Sequence, residues 1–160
     1  MNGQPISRII YCPNITLVTL PAVAHDSKSI SQILTAISDH GINVDMFSQS
    51  APQGSDISIS FTISSDTMGE LLPLLKLHSE LKPEVLNGAA KINFYDEDMV
   101  NTPGVAAKVF SVLSQGGIQV YMITTSTLDI SILVMEHELE TALELCQKAF
   151  GVTAEEVSFQ

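Results

Sequence analysis

The stretch Asp56-Ile57-Ser58-Ile59 decides the fold, because the same four residues return 73 positions later as Asp129-Ile130-Ser131-Ile132. In the first copy, apolar and polar residues continue to alternate as far as Ile63. Alternation with a period of two is typical of a β-strand with one buried face. The recurrence of this strand indicates an internal duplication.

A helix is predicted before each of these strands. In the first copy the apolar residues between Ile30 and Ile37 fall at helical spacing, and Asp39-His40-Gly41 is a helix stop. The same pattern lies 76 positions further on and ends at Gly117; its apolar residues are Ala106, Val109, Phe110 and Leu113.

The remaining elements repeat in the same order. Ile42, Val44 and Met46 alternate with polar residues and predict a strand over 42–49, followed by a turn at Pro52–Gly54. A second helix follows each repeated strand, with Asp66 as the expected N-cap of the first. Its apolar positions Met68, Leu71, Leu72 and Leu75 correspond, 71 positions on, to Leu139, Ala142, Leu143 and Cys146.

Two further strands, Ile15–Leu20 and Ala90–Tyr95, complete β-α-β-β-α in each copy, and Pro83–Leu86 is the candidate final strand of the first. For the second copy either the N-terminal run 6–11 or the C-terminal run 157–160 supplies the final strand. This order predicts an α+β fold of two ferredoxin-like βαββαβ units with antiparallel sheets and helices on one face. We expect the first unit at 12–88 and the second at 89–160, completed by strand 6–11.

Composition and charge exclude several classes of function. Hydrophobic residues make up 45% of the chain, enough for a core, and the net charge of −11 disfavours nucleic acid and anionic membranes as partners. The start of the chain, residues 1–7, carries no basic flank of a leader, and no apolar run is long enough to span a bilayer, so we expect a cytoplasmic protein. The two cysteines and four histidines lack metal-ligand spacing, which predicts no metal and no cofactor.

Several stretches resemble the tandem ACT regulatory region of aspartate kinases over nearly the whole chain, from about Ile6 to Phe150. They are Thr102-Pro103-Gly104-Val105-Ala106-Ala107-Lys108-Val109-Phe110, Gly117-Ile118-Gln119-Val120, Ile123–Ser131 and Gly41-Ile42-Asn43-Val44-Asp45-Met46-Phe47-Ser48-Gln49-Ser50.

The resemblance implies regulation by a bound amino acid, with lysine or threonine the expected effector, and assembly as a homodimer. It also implies a non-catalytic chain, because neither a Lys-Phe-Gly-Gly start nor another glycine-rich phosphate loop is present to hold ATP. Some aspartate kinases have a separate regulatory subunit of this kind, so a kinase catalytic subunit is a candidate partner.

An amino acid needs donors for its carboxylate and an acceptor for its ammonium. The loop before the first helix offers backbone N–H groups, and Asp45 on the following strand offers an acid. By resemblance this loop and strand line the effector pocket, and the candidate residues are Val23, His25, Asp26, Ser29, Asn43, Val44, Asp45, Gln49 and Ser50. The residues alone equally allow Asp45 to be a solvated strand residue and His25 a loop histidine without a ligand.

The second copy lacks the acid, since Gln119 and Tyr121 stand where the family usually shows Asn and an acid. We therefore expect this copy to be structural or to hold a different group. Its candidate residues are Asn101, Thr102, Pro103, Gly104, Gln119, Tyr121 and Ser126. Two other functions stay open for the whole chain: a dimerisation module without a ligand, and a small enzyme.

Overall fold

Alternating apolar and polar residues form the central strands. The apolar faces of the helices cover one face of the sheet. The computed structural model describes residues 6–159. Its elements are β1 (Arg8–Ala24), α1 (Ser27–Asp39), β2 (Phe47–Gln49), β3 (Asp56–Ser64), α2 (Met68–Leu77), β4 (Glu84–Tyr95), α3 (Val105–Gln115), β5 (Met122–Thr125), β6 (Asp129–Met135), α4 (Leu139–Phe150) and β7 (Ala154–Glu156).

The described chain divides into two compact units. One, called the inner unit, is Asn14–Asn87; the other, called the outer unit, combines the chain up to Pro13 with Gly88–Ser158. Strands β1 and β4 each begin in one unit and end in the other. The unit boundaries thus fall inside strands rather than in loops.

The inner unit has the strand order β2-β3-β1-β4. β1 and β3 are antiparallel, with Ala24 opposite Asp56 and Ile15 opposite Ser64. One face of this sheet carries Ile57, Ile59, Phe61 and Ile63, which pack with Ile37 of α1 and Leu71 and Leu74 of α2 in one buried cluster. Both helices therefore cover the same face of the sheet.

The outer unit has the strand order β7-β1-β4-β6-β5, in which the N-terminal part of β1 lies beside β4. Ser7 N donates to Tyr95 O at 3.0 Å. β7 adds in parallel to β1, with Ile9 opposite Ala154. It ends at Glu156, and Gln160 of the alternative C-terminal strand lies outside the described residues.

The predicted fold class is confirmed: each unit is a ferredoxin-like α+β unit with its helices on one face and, apart from the added β7, an antiparallel sheet. In the outer unit the core combines β4 and β6 with four buried residues on each helix. Those of α3 are Val105, Val109, Val112 and Leu113, and those of α4 are Leu139, Ala142, Cys146 and Phe150.

Three local predictions are wrong. The strand expected over 42–49 is regular only at Phe47–Gln49, because Ile42, Val44 and Phe47 all pack against the inner core, which one alternating strand does not allow. Ser64, not Asp66, caps the helical segment after β3, and Asp66 instead accepts a hydrogen bond from Asn14 Nδ2 at 2.9 Å. The runs expected as separate strands, 6–11 with 15–20 and 83–86 with 90–95, form the continuous strands β1 and β4.

Both predicted glycine stops are present. Gly41 and Gly117 have φ of 71° and 65°, in the left-handed region that favours glycine. In each copy the glycine N–H and the next N–H return to carbonyls of the preceding helix, as in Gly117 N to Ser114 O and Ile118 N to Leu113 O, both 3.1 Å. None of the helices within residues 6–159 has the length and apolar character that crossing a bilayer requires.

Candidate functional site

In the loop before α1, the side chain of Asp26 caps the N-terminus of the helix. Asp26 is the N-cap of α1, and its carboxylate accepts from Ser29 N at 2.7 Å and from Ser29 Oγ at 2.9 Å. The backbone hydrogen bond from Ser29, followed by the one from its side chain, lowers the pKa of Asp26 from 3.8. One backbone donor that a ligand carboxylate would use is therefore already occupied.

This loop is tied to the turn between β2 and β3. His25 N donates a hydrogen bond to Ser55 O at 2.9 Å. Two more hydrogen bonds hold Ser50 against β3, one from Ser50 N to Ser58 O and one from Ser58 N to Ser50 Oγ, both 2.8 Å. Gln49 pairs with Ile59 on β3. The structure thus gathers His25, Asp26, Ser29, Gln49 and Ser50 at one end of the inner sheet.

Asp45 lies at the opposite end of that sheet. Its backbone N donates to Thr62 O at 3.1 Å, whereas Ala24, next to the loop, pairs with Asp56. Six residues of strand β3 separate these two positions, which corresponds to about 20 Å at roughly 3.3 Å per residue. Asn43 and Val44 precede Asp45 at the same end. Within one unit the loop and Asp45 are therefore apart, since β2 starts at the end away from the loop.

Val23 is not a surface contact. Its side chain is 1% exposed and belongs to the inner core. It also lines a pocket of about 360 Å³ between the two helices and the sheet of the inner unit. Ser29 is the other predicted residue on that pocket, whose remaining walls were not identified from the sequence.

In the outer unit, the loop before α3 has no such acid cap. Gly104 is the N-cap with φ of 90°, and it makes no side-chain capping hydrogen bond. Asp98 instead organises the loop, accepting from Asn101 Nδ2 at 2.6 Å and from Thr102 Oγ1, through its backbone carbonyl, at 3.1 Å. Pro103 lies between these residues and Gly104.

The other outer candidates divide in the same way as the inner ones. Ser126 is at the loop end, where its hydroxyl donates to Asp129 and accepts from Leu128 N at 3.1 Å. Tyr121, two residues after Gln119, is at the end of the sheet away from the loop, where Tyr121 N donates to Leu133 O at 2.8 Å. Neither unit therefore assembles its loop and its second strand into one site.

Among residues 6–159, His, Cys, Asp and Glu side chains form no group of three suited to a metal ion. Both cysteines are buried, and they form no disulfide. Burial raises the pKa of Cys146 to about 12.

The chain is similar to aspartokinases. The ACT domain family model matches residues 92–150. Aspartokinase from Geobacillus stearothermophilus is 33% identical over 147 residues, which cover 92% of this chain and 36% of that protein. The chain thus spans about a third of the length of this relative.

Two solved structures show the same fold. The regulatory subunit of aspartate kinase from Thermus flavus aligns with a TM-score of 0.78 and 25% identity, covering 91% of this chain and 98% of that one. E. coli aspartokinase III in complex with lysine and aspartate aligns with a TM-score of 0.69 and 23% identity, covering 93% of this chain and 34% of that one. Residues 92–150 therefore match the ACT domain family, and the chain as a whole has the fold of the regulatory subunit of an aspartate kinase.

Proposed function

We propose that this chain is a non-catalytic regulatory module that binds a free amino acid between the inner units of two copies. The observation that carries the proposal is the separation of the loop at His25 and Asp26 from Asp45 along one sheet. Two halves of a receptor at opposite ends of a strand are brought together by a second, antiparallel copy.

The free edge of the inner sheet is suited to this arrangement. β2 is the terminal strand in the order β2-β3-β1-β4, so its outward backbone groups are available for pairing. A twofold axis through the middle of β2 would place the loop of one copy beside Asp45 of the other. The loop would then offer N–H groups to the ligand carboxylate, and Asp45 would accept its ammonium.

Lysine is the effector we favour. E. coli aspartokinase III, which shares the fold, was crystallised with lysine and aspartate. A second ammonium on the ligand also suits a chain of net charge −11. Threonine is the alternative that the resemblance leaves open.

The protein that this module regulates would be a kinase catalytic subunit in the cytoplasm. This proposal is supported by the match to a separate regulatory subunit from Thermus flavus.

Isothermal titration with lysine, threonine and the other amino acids tests the function directly. We expect one ligand to bind with a stoichiometry of one per chain and to stabilise the dimer in sedimentation measurements. Asp45→Asn should abolish binding, whereas Asp39→Asn, an exposed acid at the end of α1, should leave it unchanged. Binding that survives Asp45→Asn would exclude the proposed ammonium contact.

A mixing experiment distinguishes a site shared between copies from a site within one chain. Ser27→Pro, which removes a backbone N–H at the first position of α1, and Asp45→Asn each damage one half of the site. A mixed dimer of the two variants contains one intact site of its two, and random refolding makes half of the dimers mixed, so refolding them together should restore about a quarter of the binding capacity. No recovery in a mixture that is shown to contain heterodimers would place the site within one chain.

The second candidate function is a dimerisation module without a ligand. It is favoured by Asp26, whose carboxylate already occupies Ser29 N at the position expected for a ligand carboxylate. On this reading no amino acid would bind at millimolar concentration, and the dimer would persist in Asp45→Asn.

A further inference from the structure

The two units of this chain share a fold but differ in how their helices close. In the outer unit Phe150, at the end of α4, is fully buried with its ring centroid 5.9 Å from that of Phe94. Lys108 of α3 places its Nζ 5.0 Å from the same ring. The space between α3, α4 and the sheet is filled by this aromatic side chain.

The inner unit lacks the corresponding side chain. The offset of 71 positions that relates α2 to α4 puts Ser79 at the position of Phe150, and the offset of 76 puts Gln32 at the position of Lys108. α2 also ends at Leu77, whereas α4 continues to Phe150 itself. The pocket of about 360 Å³ thus lies in the unit that has no aromatic side chain at the position of Phe150.

The walls of this pocket are mainly apolar. Phe61 and Leu20 form its floor on the sheet, Ile33 and Ala36 line it from α1, and Leu75 lines it from α2. Ile33 and Leu75 are only partly buried, so contact area for a ligand remains on both helices. An apolar cavity of about 150 Å³ takes up benzene, so this pocket has room for a bicyclic aromatic body.

Among the described residues, the pocket lining has one carboxylate and no Lys or Arg. Its polar lining residues are Ser29, Gln32, His78 and Glu80. Glu80 Oε1 lies 3.4 Å from His78 Nδ1, and its side chain is 66% exposed. A cation entering the pocket would thus meet a carboxylate at the mouth, and an anion would meet the same carboxylate unfavourably.

We propose that the inner unit binds a small organic cation with an aromatic body in this pocket. The ring lies between α1 and α2 on Phe61, and the ammonium group pairs with Glu80. This site lies within one unit of one chain, so it goes beyond the amino-acid site proposed at β2 and does not depend on it.

Three probes with one body and different charge test the proposal: tryptamine, indole and indole-3-acetate, titrated into the full chain without added amino acid. We expect tryptamine to bind most tightly and indole-3-acetate most weakly. The preference of tryptamine over indole should be roughly threefold, as expected for a largely exposed ion pair. Chemical-shift changes should centre on Phe61, Ile33 and Leu75.

Two variants and a matched control complete the test. Ala36→Phe fills the pocket and should abolish binding of all three probes, whereas Thr35→Phe on the exposed side of α1 should not. Glu80→Gln should retain indole binding and remove the preference for tryptamine. The proposal is overturned if none of the probes binds at 5 mM, or if Ala36→Phe binds them as the unaltered chain does.

Discussion

The Phe150 ring packs at 58° against that of Phe94, with a centroid distance of 5.9 Å, and closes the outer core. Its side chain has no exposed surface. Replacing it by alanine should therefore lower the free energy of unfolding by about 3–5 kcal/mol, because contacts are lost and a cavity remains. Phe110 of α3 is 41% exposed, and Phe110→Ala should cost less than about 1 kcal/mol. Urea denaturation measures both changes, and equal losses would contradict the described packing.

Replacing glycine by alanine should have opposite effects on stability at Gly117 and at Gly69. Gly117 ends α3 with φ of 65°, so Gly117→Ala should destabilise the protein by about 1–2 kcal/mol. Gly69 lies in the first turn of α2, is not in the left-handed region, and has nothing within 4 Å of an added Cβ. Gly69→Ala should therefore stabilise the protein by about 0.5–1 kcal/mol. Thermal unfolding of the two variants would test the signs directly.

Local sequence patterns correctly predicted the elements that depend only on neighbouring residues. The alternation from Asp56 to Ile63 and the stops at Gly41 and Gly117 are properties of a few consecutive residues, and the structure contains all of them. Duplication strengthened these predictions, because each pattern was present twice in the same order. The fold class followed from that order alone.

The features that the sequence did not predict depend on contacts between residues far apart in the chain. Asp66 has the right type and place for a helix cap, but it binds Asn14, which is 52 residues away. The separate runs expected at 6–11 and 15–20 are joined because β1 continues from the outer unit into the inner unit without a break. Asp45 and His25 look adjacent through family resemblance, yet the direction of β2 separates them within one unit. The pocket lies in the unit that has Ser79 at the position of Phe150, a difference between the copies that no local pattern reveals.

The thiol of Cys146 should be unreactive in the folded protein. Its side chain is fully buried, and burial raises its pKa from 9.0 to about 12. Because the thiolate is the reactive form, a Cys12→Ala variant, which leaves Cys146 as the sole cysteine, should not react with Ellman's reagent at pH 8 until it unfolds. Rapid reaction under native conditions would mean that the outer core opens readily.

The same shift predicts a loss of stability at alkaline pH. Between pH 9 and 12 the unfolded chain releases the Cys146 proton while the folded chain keeps it, so the folded state binds more protons. The free energy of unfolding should therefore fall as pH rises through this range. Cys146→Ala should lack this component, so its stability should decline less between pH 9 and pH 11 than that of the parent chain.

Asp26 predicts the opposite dependence at acid pH. The hydrogen bonds from Ser29 hold its pKa below 3.8 in the folded state, so the unfolded state takes up a proton first as pH falls. The capping contribution should be fully present above about pH 4 and disappear as pH falls through the lowered pKa. The Tm difference between the parent chain and Asp26→Ala should thus be constant from pH 7 to pH 4 and shrink below it.

The matched control for this cap is at the other end of α1. Asp39 is exposed in the last turn, where a negative charge opposes the helix dipole, so Asp39→Ala should raise Tm at neutral pH rather than lower it. If Asp26→Ala kept its full Tm deficit at pH 2, the carboxylate of Asp26 would not be the source of the capping energy. The α1 N-terminus would then be available to a ligand carboxylate, and the ligand-free reading of the inner unit would lose its main support.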